Sequence, residues 1–155
     1  MEIETILQKA QEISPDLWRY ITLCLWTGAR RSEAKGLKWQ DIDFVGAFCT
    51  LTGKGNRERI VPLMPAVVEA LTPVKRDIGP VFAMDHADTY SHRVKAVMAS
   101  CGIVGHRLHD LRHTAATYML KNGIDIRTVQ KILGHASIST TTIYAEVQKE
   151  AGHCR

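Results

Sequence analysis

Residues 41–63 read DIDFVGAFCTLTGKGNRERIVPL, a stretch rich in β-branched and aromatic residues and broken by GKGN. Strand-forming residues on both sides of a glycine-rich turn predict a β-hairpin or small antiparallel sheet with a basic tip. Pro62 and Pro65 then close the last strand, because a proline offers no N–H to a ladder. Elsewhere the apolar residues recur at helical spacing. The predicted class is therefore α+β: mainly α with a small antiparallel β-sheet inserted early.

The helical segments carry their own start and stop signals. IETILQKA, residues 3–10, has the spacing of a helix. In SPDLWRYITLCLW, Ser14 is an N-cap and Pro15 the first helical residue, and the helix they open is apolar enough to be largely buried. Gly28 breaks it, and Ser32 is positioned to open a short helix in RRSEAKGL. AVVEAL and residues 88–100 resume helical spacing. The last third predicts three helices, at about 109–121, 125–133 and, more weakly, 138–147, stopped by Asn122-Gly123 and Gly134.

At 155 residues and 45% hydrophobic content, the chain has the size of one domain with a proper core. It shows neither an internal repeat nor a long linker, so residues 1–155 are read as a single domain. The formal charge of +4 and pI near 9.0 suit a polyanionic partner without proving one. Cys24, Cys49, Cys101 and Cys154 are far apart and form no CxxC, which argues against a zinc ribbon or a disulfide framework and for a reducing cytoplasm. ITLCLW is far short of a bilayer span, and MEIET is unlike a signal peptide, so no membrane association is expected.

The segment HDLRHTAATYML, residues 109–120, places His109, Arg112 and His113 in one sector of a helix with the small Ala116, and Leu111, Ala115 and Tyr118 on the other side. A cation and two imidazoles at a helix start, where free N–H groups and the dipole already favour negative charge, suggest an anion site. His109 and His113 could instead be i, i+4 metal ligands, but no HExxH glutamate or neighbouring ligand set accompanies them. A buried structural role for His113 is the plainer alternative. Arg30 follows a glycine turn at the end of an apolar helix, with Glu33 close enough to orient it, although a surface Arg–Glu pair would look the same. Lys54, with Arg57 and Arg59 beside it, is either an exposed functional ammonium or a solvated hairpin tip. Tyr144 follows a Thr-rich run that makes a marginal helix, so it could move, or it could be an ordinary amphipathic tyrosine.

Taken in order, TGARRSE, GKGNRERIVPL, HDLRH, LGH and the tyrosine nine residues after that histidine resemble the catalytic domain of the tyrosine recombinase (phage integrase) family. The resemblance covers about residues 14–147. It implies the DNA breaking-rejoining fold, with Arg30 and Arg112 as phosphate-clamping arginines, Lys54 as the hairpin lysine, His109 and His135 as active-site histidines and Tyr144 as nucleophile. Glu33 matches the acid that supports the first arginine. Arg31 stands where the family often has an apolar residue, and Arg31, Arg57 and Arg59 are expected to contact DNA. Family members usually carry an N-terminal core-binding domain, which is expected to be absent from this chain.

The implied chemistry follows from the residue types. Two arginines would hold the non-bridging oxygens of a phosphodiester and stabilise the transition-state charge. Tyr144, helped by His109 as base, would attack phosphorus to give a 3′-phosphotyrosyl link, while Lys54 protonates the departing 5′ oxygen and His135 bonds a phosphate oxygen. Neither cofactor nor metal is expected. The partners implied are double-stranded DNA, further copies of the chain in a tetramer on that DNA, and accessory DNA-bending proteins. Two other readings stay open at this point: a non-catalytic helix-turn-helix module in IDIRTVQKILGHASISTTTIY, and a type IB topoisomerase-like relaxing activity that shares the chemistry.

Overall fold

The computed structural model describes residues 3–83, 87–103 and 110–133. Two helices open the chain, α1 (Ile3–Ile13) and α2 (Pro15–Thr27), followed by the short α3 (Arg31–Gly36). Three strands then form one antiparallel sheet in the order β1 (Ile42–Asp43), β2 (Phe48–Thr52), β3 (Glu58–Pro62). Four more helices follow: α4 (Pro65–Leu71), α5 (Ala87–Ser100), α6 (Asp110–Lys121) and α7 (Ile126–Leu133). The helical expectations hold to within a few residues, and the β-rich stretch yields a third, two-residue strand beside the hairpin. The expected helix at 138–147 lies outside the described residues.

Helix α2 is the centre of the core. Leu17, Tyr20, Ile21, Leu23, Cys24 and Leu25 are all buried, and the helix packs against α1, α4, α5 and α6. Its start is as the sequence suggests: Ser14 is extended, and its Oγ accepts from the Leu17 amide at 3.4 Å, with Pro15 next in line. Its end is built with more care. Gly28 adopts the left-handed conformation, φ 67°, and its N–H donates to Cys24 O at 2.9 Å. The buried Thr27 hydroxyl donates to Leu23 O at 2.6 Å and accepts from the Ala29 amide at 3.2 Å. These bonds fix the direction in which the chain leaves the core toward Arg30.

The sheet follows the pleat. Strand β2 pairs with β3 in the register Cys49↔Val61 and Leu51↔Arg59, which puts those four residues on the core-facing side. Phe48, Ile60 and Glu58 point outward and are exposed. Helix α6 packs on α2, with the Trp26 and Tyr118 rings edge to face at 4.8 Å, a contact worth about 0.5–1.5 kcal/mol beyond the area it buries. Ala115 and Ala116 are both 0% exposed. Ala116 was expected on the anion-facing sector; instead the packing on α2 spreads the buried stripe across both alanines. After α6, Gly123 at φ 83° turns the chain, and the Asp125 carboxylate accepts from the Arg127 amide at 3.0 Å to start α7, which rests on β3. Among the described residues, no helix is long and apolar enough to cross a membrane.

Candidate active site

The Arg30 loop and the Lys54 hairpin meet at Glu33. Helix α3 begins at Arg31, one residue before the Ser32 that the sequence suggested, because Glu33 and not a serine satisfies its open end. Glu33 Oε1 accepts from the Arg30 backbone amide at 2.8 Å, leaving Arg30 extended and its side chain exposed. The carboxylate was expected to orient the Arg30 guanidinium. It acts on the Arg30 main chain, and its side-chain partner is Arg59.

Arg59 reaches in from β3 with its fork: Nε donates to Glu33 Oε2 at 2.9 Å and Nη2 donates to Glu33 Oε1 at 3.0 Å. Nη2 also donates to Gly28 O at 3.2 Å. Arg59 was expected to face DNA alongside Arg57; its side chain is only 17% exposed and is directed to the protein interior. The alternation of β3 explains this, since Arg59 shares the inner face with Val61, while the exposed Ile60 occupies the outer one.

Glu33 is 3% exposed, and burial alone would raise its carboxyl pKa. The hydrogen bonds from Arg59 and from the Arg30 amide, together with the charges of Arg59 and Arg30, outweigh that and hold it below the ordinary carboxylate value. Cys24 and Cys49 are buried nearby, and burial pushes both thiols up to about 12. They are neutral packing groups at neutral pH.

Lys54 sits at the hairpin tip between β2 and β3. Gly53 N–H donates to Arg57 O at 2.8 Å to close the loop, and Gly55 and Asn56 turn it with φ of 72° and 58°. Lys54 and Arg57 are exposed. At the base of the tip, a Cβ on Gly53 would lie 3.6 Å from both Cγ and Oε2 of Glu33. One carboxylate thus bonds the Arg30 amide and lies beside Gly53, the residue before Lys54. Arg112 lies in the first turn of α6, about 9 Å along the helix axis from Tyr118, whose ring meets Trp26 near the end of α2. His113 is in the same turn region, and Arg31 heads α3 with an exposed side chain. His109, His135 and Tyr144 lie outside the described residues.

Known proteins resemble the chain in both sequence and fold. The sequence profile of the Phage integrase family matches residues 1–151. Tyrosine recombinase XerC of Pediococcus pentosaceus is 37% identical over 142 residues, which is 80% of this chain and 47% of that protein. A tyrosine recombinase of Pseudothermotoga lettingae is 35% identical over 156 residues, covering 94% of this chain and 54% of its own length. Among solved structures, the catalytic domain of bacteriophage HP1 integrase superposes with a TM-score of 0.73 at 28% identity, covering 93% of this chain and 83% of that one. The XerA recombinase superposes with a TM-score of 0.77 at 26% identity, covering 97% and 62%. The chain belongs to the phage integrase, or tyrosine recombinase, family and has the fold of its catalytic domain. It spans about half the length of the curated relatives it matches.

Proposed function

We propose that this chain is the catalytic domain of a site-specific DNA recombinase that cuts and rejoins double-stranded DNA through a 3′-phosphotyrosyl intermediate. The observation that carries the reading is the juncture at Glu33, which bonds the Arg30 amide and takes the fork of Arg59 from the strand that returns from the Lys54 tip. A phosphodiester needs cationic donors on its non-bridging oxygens and a proton source at its leaving oxygen, and these two loops offer one of each. Arg112 supplies the second clamp. Tyr144 Oη attacks phosphorus, its proton passing to His109. The P–O5′ bond breaks as the P–O(Tyr) bond forms, and Lys54 protonates the departing 5′ oxygen. His135 bonds a phosphate oxygen, and exposed Arg31 and Arg57 contact the DNA backbone.

The bond to tyrosine conserves the energy of the phosphodiester, so religation by a 5′-hydroxyl needs no nucleotide cofactor. Strand exchange between two duplexes calls for several copies of the chain, four in the tetramer that the reading implies. The test is incubation with nicked duplex DNA followed by denaturing electrophoresis. A covalent protein–DNA product is expected from the unmodified chain and none from Tyr144→Phe, which should still bind. Adduct persisting in Tyr144→Phe would refute the assignment.

A further inference from the structure

We infer that Arg59 is a positioning residue for this reaction and not a DNA contact: its fork onto Glu33 fixes the Arg30 loop against the Lys54 hairpin. The inference rests on the recombinase reading above. Arg59 grips the Arg30 loop at two points, the Gly28 carbonyl on one side of Arg30 and the Glu33 carboxylate on the other. Its own backbone belongs to the strand that returns from the Lys54 tip, paired with Leu51. The carboxylate also lies beside Gly53 at the base of the tip, close enough that a Cβ there would meet it at 3.6 Å, so the salt bridge joins the returning strand of the hairpin to the loop.

Stability gives a poor reason for such a pair. Among the described residues, buried Arg59 Nη1 has no hydrogen-bond partner, and buried ion pairs are commonly matched or bettered by apolar residues of the same volume. What a fork on a carboxylate provides, and apolar packing does not, is a fixed plane and direction. That matters where reacting groups must be held within tenths of an ångström, since a shift of about 1 Å can cost about 10²-fold in rate.

The test compares the full chain with Arg59→Met, Arg59→Lys and Arg57→Ala. The substrate is one duplex recovered, through covalent capture by the unmodified chain, from a pool of nicked random-sequence duplexes. Arg59→Met is expected to form adduct about 10²-fold more slowly at saturating DNA, with Kd within about threefold. Arg59→Lys, which keeps one charge-assisted bond to Glu33, should recover about tenfold of that loss and stay about tenfold slower than the unmodified chain. Arg57→Ala should weaken binding instead. A folded Arg59→Met that cleaves at the unmodified rate, or one whose defect lies in Kd alone, overturns the inference.

If Arg59→Met does not fold, Arg59→Lys carries the test: a slower rate at unchanged Kd supports the inference and an unchanged rate overturns it. If the unmodified chain forms no adduct at all, the recombinase reading fails separately. The positioning claim is then read from hydrogen exchange of the Arg30 amide, which should quicken about tenfold in Arg59→Lys and which, if unchanged, overturns it.

Discussion

Glu33→Gln should be among the most destabilising single-atom exchanges in this domain. Glutamine keeps one oxygen for the Arg30 amide, but it removes the charge that faces Arg59, whose side chain is 17% exposed. Removing one member of a buried pair typically costs about 3–5 kcal/mol, because the other charge stays buried. The retained amide bond puts the expected loss near the lower end, about 3 kcal/mol. For a domain of this size that corresponds to a fall in Tm of about 6–12 °C. Urea titration should show a lower midpoint at an unchanged m-value.

The pH dependence gives an internal check. Glu33 titrates below the ordinary carboxylate value, so its contribution is fully present above the unfolded pKa of about 4.3 and is lost as pH falls through the folded one. Protonated glutamic acid resembles glutamine. The stability gap between the unmodified chain and Glu33→Gln should therefore be widest at neutral pH and close on acidification. The double variant Glu33→Met/Arg59→Met should be less destabilised than either single change to Met. A gap below about 0.5 kcal/mol at pH 7, or one that widens in acid, would refute the role given to this pair.

Three further outcomes follow from the geometry. Gly55→Ala, at φ 72°, should destabilise the hairpin by about 1 kcal/mol in urea unfolding, whereas Gly53→Ala, at φ −105° with its Cβ in ordinary contact with Glu33, should stay within about 0.5 kcal/mol. Leu51→Ala, at a fully buried position paired with Arg59 across the sheet, should cost about 2–5 kcal/mol in the same assay. Alkylation of the native protein at pH 8, mapped by peptide mass, should label the half-buried Cys101 before Cys24 or Cys49, whose thiols are 1% and 0% exposed; equal rates would contradict the packing.

Much of this fold is legible in the sequence because its signals are local. Ser14-Pro15 and Gly28 bracket α2 by cap chemistry, GKGN marks the hairpin, and Asn122-Gly123 stops α6. What escapes is long-range pairing. Arg59 and Arg57 look alike in NRER, and the exposed Ile60 hides the fact that the inner face of β3 runs through Arg59 and Val61. Counting alternation back from the buried Val61 would have turned Arg59 inward. Its partner, 26 residues earlier, could not be read in the same way, since Glu33 also makes sense as a local cap for the Arg30 amide.

The same pairing shows how a chain of modest net charge keeps Arg30 exposed with an acid beside it. The Arg30 and Lys54 loops hold Arg30, Arg31, Lys54, Arg57 and Arg59 against Glu33 and Glu58, yet the protein as a whole carries only +4. Were Glu33 to neutralise Arg30 directly, it would weaken the cation offered to an anionic ligand. By bonding the Arg30 main chain and spending its charge on Arg59, it places Arg30 while leaving that side chain exposed. A buried arginine is thus the counter-ion that allows an acid to stand behind an exposed one. Arg59→Met removes a cation that does not face the ligand, so the slope of log Kd against log salt concentration should stay within about 0.3 of that of the unmodified chain, whereas Arg57→Ala should reduce it by about one. A slope that falls by about one in Arg59→Met would mean that Arg59 itself neutralises a phosphate.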